Sequence, residues 1–159
     1  MSQRTATEID PLDPVVATVT VACDAATAFT VFTAGMGTWW PLAEFSLGAE
    51  RIVSVEFEER AGGVVVEVWD DGTRRRWADV LEWDPPRSLS LAWNPGGFET
   101  GQAPTRVDVT FTEVAEDETR VRLVHIGWEV RADEAVETRS SYAEGWPVVL
   151  AGYVAVVDR

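Results

Sequence analysis

The chain is predicted to be an α+β domain: an antiparallel sheet covered on one face by a long C-terminal helix, with two short helices after the first strand. Three features of the sequence predict it. Between Arg51 and Trp128 the apolar residues recur at every second position, in runs separated by turns that carry glycine or proline, or, in the last case, the polar "AEDE". Directly after a β-branched opening run the spacing becomes helical. At the C-terminus Tyr142, Trp146, Val149, Leu150, Tyr153 and Val157 recur at steps of three and four, one apolar stripe over four turns.

The elements follow in order. "PVVATVTVAC" (Pro14 to Cys23) is rich in β-branched residues and reads as a first strand. In "DAATAFTVFT" Asp24 is a good N-cap, and Ala25, Ala28, Phe29 and Phe32 lie on one helical face. "AGMG" breaks that helix, and a second helical turn is expected from Met36 to Trp40, before Pro41. "RIVSVEFEE" places Val53, Val55 and Phe57 on one face of a strand, "AGG" turns the chain, and "VVVEVW" returns with Val65, Glu67 and Trp69 together. "DDG" is the next turn. "RRWADVLEW" is a third run whose facing is ambiguous: Trp77, Asp79, Leu81 and Trp83 share one side, and Ala78, Val80 and Glu82 the other. "DPP" stops it, because proline cannot donate to a ladder. "SLSLAW" alternates cleanly up to the turn "NPGG", and Phe98 to Pro104 reads as a loop. "TRVDVTFTEV" groups Val107, Val109 and Phe111, and "TRVRLVHIGW" groups Val121, Leu123 and His125. Asp133, Glu134 and Glu137 suit the N-terminal end of the last helix, where the helix dipole favours acids. Pro147 falls inside the stripe, so the helix is expected either to kink near Gly145 or to restart with Pro147 in a first turn.

No composition shift, repeat or linker divides the 159 residues, so one domain is expected over residues 14–159 after a flexible tail over residues 1–13. The tail lacks the apolar stretch of a signal peptide and no apolar run has the length of a membrane span, which predicts a cytoplasmic protein. A net charge of −14, from 27 acidic and 13 basic residues, speaks against nucleic acid and against an anionic membrane. Every basic residue is an arginine, which excludes Schiff-base and lysine-base chemistry. One cysteine (Cys23) and one histidine (His125) cannot make a zinc site of the usual ligands, and neither a metal nor a cofactor is predicted. Dinucleotide, P-loop and nucleophile-elbow fingerprints do not occur.

Five segments, in this order, carry a resemblance: "AFTVFT…WWP"; the glycine-pair hairpin "FEERAGGVVVEVWDDG" with a glutamate four residues after the second glycine; "WADVLEWDPPRSLSLAW"; "TRVDVTFTEVAEDETRVRLVHIGW"; and "EGWPVVLAGY" leading into the final helix. Together they resemble the START-like, or helix-grip, superfamily (the SRPBCC proteins), and within it the single-domain relatives of the activator of heat-shock-protein ATPase. The resemblance covers about Val15 to Val157. It implies a curved antiparallel sheet wrapped around the long C-terminal helix, with a cavity between them. The chaperone activators carry an additional N-terminal domain for which this chain has no room. Chaperone contact is therefore an alternative reading rather than the leading one.

On that fold, one of the adjacent Trp39 and Trp40 is expected to plug the core and the other to line the cavity mouth, with Pro41 setting the turn. The expected ligand is a small apolar or amphipathic molecule. The residues expected to border it are Trp39, Trp40, Val65, Glu67, Leu91, Val109, Phe111, Leu123, His125, Trp146 and Leu150. Glu67 and His125 are the polar members, on strand faces that the layout turns toward the helix. A carboxylate and an imidazole in an apolar cavity are able to orient a polar head group, or to act as acid and base in a cyclase, dehydratase or hydrolase. A self-satisfied buried pair is the structural alternative.

Overall fold

The computed structural model describes residues 12–159. Residues 1–11 of the expected tail lie outside the described residues. Seven strands form one sheet: β1 (Val15–Val21), β2 (Ile52–Phe57), β3 (Val64–Trp69), β4 (Arg74–Asp84), β5 (Ser88–Trp93), β6 (Thr105–Ala115) and β7 (Glu118–Ile126). Their order is β1-β7-β6-β5-β4-β3-β2, with every neighbouring pair antiparallel. β2 to β7 are thus a meander of consecutive hairpins, and β1 closes on β7 by pairing Val15 with His125 and Val21 with Thr119. The sheet curls around helix α3 (Ala135–Val157), with α1 (Ala25–Thr33) and α2 (Met36–Trp39) following the first strand, which is the α+β helix-grip architecture.

Local chemistry explains the element ends. Asp24 caps α1, its carboxylate accepting from the Thr27 N–H at 2.8 Å, and Glu113 on β6 accepts from the Ala25 N–H at 3.1 Å. Two of the four free N–H groups of that helix start are thereby satisfied. Ala28, Phe29 and Phe32 turn inward, and Phe29 and Phe32 meet Phe111 with ring centroids 5.0 and 5.6 Å apart. Gly127, at φ 92°, ends β7 in a conformation that a side chain disfavours, and a 3-10 segment (Trp128–Glu134) leads into α3.

Helix α3 is continuous through Pro147, which lies on its exposed side, so the helix neither ends nor restarts there. The missing proline N–H falls where the chain faces solvent rather than the sheet. The inward stripe is Trp146, Val149, Leu150 and Tyr153, and Tyr153 donates to the Ala28 carbonyl at 2.8 Å. Gly152 lets α2 approach, since a Cβ there would stand 2.5 Å from the Trp39 carbonyl oxygen.

Strand β4 has no single facing, because it carries two bulges. Val65 pairs with Ala78 but Val66 pairs with Arg76, which leaves Trp77 as an extra residue. Val80 pairs with Leu91 but Glu82 pairs with Ser90, which leaves Leu81 extra. Each bulge shifts the alternation by one. Trp77, Ala78 and Val80 are consequently all buried, while Leu81 is exposed.

Candidate functional site

The two adjacent tryptophans part company because α2 ends between them. Trp39 is the last helical residue, whereas Trp40 is extended at φ −66°, ψ 131°. The Trp39 ring packs into the core against Phe32 and Tyr153, both with centroids 5.2 Å away, and its Nε1–H donates to the Val31 carbonyl at 2.8 Å. Trp40 turns toward three more tryptophans: Trp77 at 4.9 Å, Trp93 at 5.9 Å and Trp146 at 5.9 Å. These four, drawn from β4, β5, α3 and the end of α2, wall a cavity of about 340 Å3. Ser141, Tyr142, Gly145 and Val149 complete the α3 side, and the loop after α2 supplies Glu44, Phe45, Ser46 and Leu47 as a cover.

Each indole N–H around this cavity is consumed by the wall. Trp40 donates to the Phe45 carbonyl at 2.7 Å, Trp77 to Glu67 Oε1 at 2.6 Å, Trp93 to the Tyr142 hydroxyl at 3.0 Å and Trp146 to His125 Nδ1 at 3.0 Å. A buried indole needs a partner, and satisfying it there leaves no free indole donor toward the cavity.

Glu67 is fully buried and accepts four hydrogen bonds. Besides Trp77 these come from the Leu47 N–H at 2.9 Å, the Gly48 N–H at 2.8 Å and Trp69 Nε1 at 2.6 Å. Four donors and no acceptor are the complement of a carboxylate, not of a carboxylic acid. The carboxylate therefore does two things at once: it fixes Trp77 and it clasps the cover loop at Leu47 and Gly48. Gly48 is required here, because a Cβ on it would lie 2.3 Å from Trp69 Nε1.

The tautomer of His125 follows from its partners. An indole N–H is only a donor, so Nδ1 accepts and Nε2 carries the proton. Nε2 meets Thr105 Oγ1 at 2.6 Å, and Thr105 passes a hydrogen bond to the Trp93 carbonyl at 3.1 Å. Burial, with a smaller contribution from the Arg131 guanidinium, pushes the imidazole down to about 3, so it is neutral. Tyr142 stacks beside Trp146, and burial raises its phenol, which stays protonated. The Tyr142 oxygen accepts from Trp93, and the Tyr142 side chain is part of the cavity lining.

Of the residues singled out from sequence, Trp40 and Trp146 line the cavity. Glu67 and His125 stand behind its wall, bonded to Trp77 and Trp146 and not to one another. Trp39, Val65, Leu91, Val109, Phe111, Leu123 and Leu150 are buried in the core cluster. The binding residues expected from sequence do not include Trp93 and Tyr142, although the alternation of "SLSLAW" and the α3 stripe, of which Tyr142 is a member, turn both inward. They also omit the cover loop, which has no period to read. Among the described residues no group of acids, cysteine and histidine is arranged to hold a metal, and no helix is long and apolar enough to cross a membrane.

Known structures share this fold. An anthrahydroquino-gamma-pyrone synthase, Txn09, is 27% identical, with 94% of this chain and 100% of that one covered at a TM-score of 0.65. The self-sacrificing resistance protein CalC from Micromonospora echinospora is 23% identical over 93% and 96% of the two chains, at a TM-score of 0.66. The Aha1 dimer from Colwellia psychrerythraea is 14% identical over 91% and 96%, at 0.65. A search of curated proteins finds no match to the chain. The model of the family described as Activator of Hsp90 ATPase homolog 1-like protein matches residues 25–158, most of the chain, and the protein belongs to that family.

Proposed function

We propose that the protein is a binding module for a small, largely apolar, ring-bearing ligand, held between the sheet and α3 under the Pro41–Gly48 loop. The observation that carries this reading is the treatment of the four indoles. Their N–H groups are all satisfied by the wall, so the cavity is faced by ring surfaces with a few polar groups at its margin. A volume of about 340 Å3 is within the range of small-molecule sites. Trp77, Trp93 and Trp146 are nearly covered as they stand, so a ligand enters by lifting the loop. Glu67 and His125 serve it from behind, holding Trp77 and Trp146 in position.

The test is a thermal-shift and tryptophan-quenching screen across fused-ring aromatics, sterols, isoprenoids and fatty acids. A ligand at 100 times its Kd stabilises by about 2.7 kcal/mol. Binding should be lost in Ser141→Trp, which fills the exposed margin of the cavity and leaves the core untouched. Binding that survives Ser141→Trp, or no hit in any class, counts against the reading.

The 27% likeness to a synthase favours a second reading, an enzyme acting on the same ligand. Under it Tyr142, whose side chain belongs to the cavity lining, is the proton donor, and Glu67 and His125 are positioning residues. Tyr142→Phe should then abolish turnover while the ligand still binds.

A further inference from the structure

We propose that the ligand of this cavity carries a positive charge: an aromatic or amphipathic molecule bearing a protonated amine or a quaternary ammonium. The inference rests on the binding-module reading and adds the charge of what is bound.

The sign comes from the charges around the four indoles. Glu44, on the cover loop, is the charged residue in the cavity lining, and no arginine or histidine lines it. A second carboxylate, Glu67, lies directly behind Trp77 and is balanced by neutral donors rather than by a cation. Of the nearby arginines, Arg51 and Arg75 stack on Trp69 and pair with Asp71 and Glu99. Arg131 is bonded to the neutral Asn94 side chain, and its charge is felt at His125 and Tyr142, so two carboxylates stand against one cation. Behind Trp146 the imidazole is neutral, since its Nδ1 accepts an indole hydrogen bond.

The rings point the same way. An aromatic ring is negative on its face and positive at its edge. Here the most positive edge atom of Trp77, Trp93 and Trp146, the N–H hydrogen, is turned into the wall, and that of Trp40 is held by the cover loop. The hydrogen bond from Trp77 to a carboxylate pushes further electron density onto that ring. A site of aromatic faces with a carboxylate at its mouth attracts a cation and repels an anion such as a fatty-acid carboxylate. The net charge of −14 adds a long-range field of the same sign.

Three probes of nearly one shape test this: the 2-naphthyl-trimethylammonium cation, neutral 2-tert-butylnaphthalene and the 2-naphthoate anion. Their affinities are measured by tryptophan quenching and calorimetry on the whole protein, in low and in moderate salt. The cation is expected to bind about tenfold tighter than the neutral isostere, and naphthoate the most weakly. Glu44→Gln changes an exposed residue, so the fold is retained. It should cut the cation's advantage about threefold and leave the neutral probe unchanged, and added salt should act in the same direction. Equal binding of cation and neutral isostere, or tighter binding of naphthoate, overturns the proposal and leaves the aromatic cavity standing. If none of the three binds, the proposal falls, and if the wider screen of aromatics, sterols, isoprenoids and fatty acids is also empty the binding-module reading falls with it.

Discussion

Acidification should destabilise this protein through one histidine. His125 is fully buried and neutral, accepting from Trp146 and donating to Thr105, with its pKa depressed to about 3 from an ordinary 6.5. The unfolded chain protonates this imidazole as pH falls through 6.5, whereas the folded one refuses the proton until about 3. Between those values the unfolded state binds more protons, so stability falls as pH falls. Each pH unit costs about 1.4 kcal/mol, so lowering the pH from 6.5 to 5 costs about 2 kcal/mol. For a chain of this length that is about 4–8 °C in Tm. The assay is urea unfolding at pH 7, 6 and 5, comparing wild type with His125→Gln. A glutamine does not titrate, yet it retains an oxygen acceptor and an N–H donor. Carboxylates contribute nearly equally to both proteins, so the difference between the two pH dependences isolates the imidazole. Parallel curves for the two proteins, or an imidazole that titrates near 6.5 in the folded state, would refute the buried neutral imidazole and the network built on it.

Other perturbations probe the clasp and the close contacts. Glu67→Gln places an NH2 group against donors that need an acceptor. With two N–H groups orphaned, the expected loss is on the order of 2–5 kcal/mol, with faster hydrogen exchange at Leu47 and Gly48. Unchanged exchange there would mean that Glu67 does not hold the loop. Gly48→Ala should drive Trp69 away from Glu67 and cost about 1–3 kcal/mol, read by urea unfolding together with a changed Trp69 indole N–H resonance. Gly152→Ala should cost a similar about 1–3 kcal/mol, because its Cβ meets the backbone carbonyl of Trp39, which yields less readily than a side chain. A neutral effect would show that α2 is free to move away from α3.

Much of the fold is legible in the chain because it depends on local periods and turns. Alternation between glycine, proline or acidic turns marks β2 to β7, Asp24 marks the start of α1, and the spacing from Tyr142 to Val157 marks α3. The family resemblance rests on the same local segments. The site is less legible, because it is assembled from contacts distant in sequence. Alternation correctly placed Glu67 and His125 on inward faces, but nothing local shows that their partners are Trp77 and Trp146 rather than each other. Trp77 was ambiguous for a definite reason: a bulge makes it an extra residue, and a period of two has no meaning across a bulge. The cover loop has no period to read, and its position depends on a carboxylate 19 and 20 residues further along the chain. Adjacency of Trp39 and Trp40 already implied that both could not face one core from a regular element. Which ring enters the core and which turns to the cavity depends on where α2 stops. That stop is local, because Pro41 disfavours helical backbone at Trp40. What only the tertiary structure decides is that Trp39 can sit against α3, where Gly152, 113 residues away in sequence, leaves room for its carbonyl.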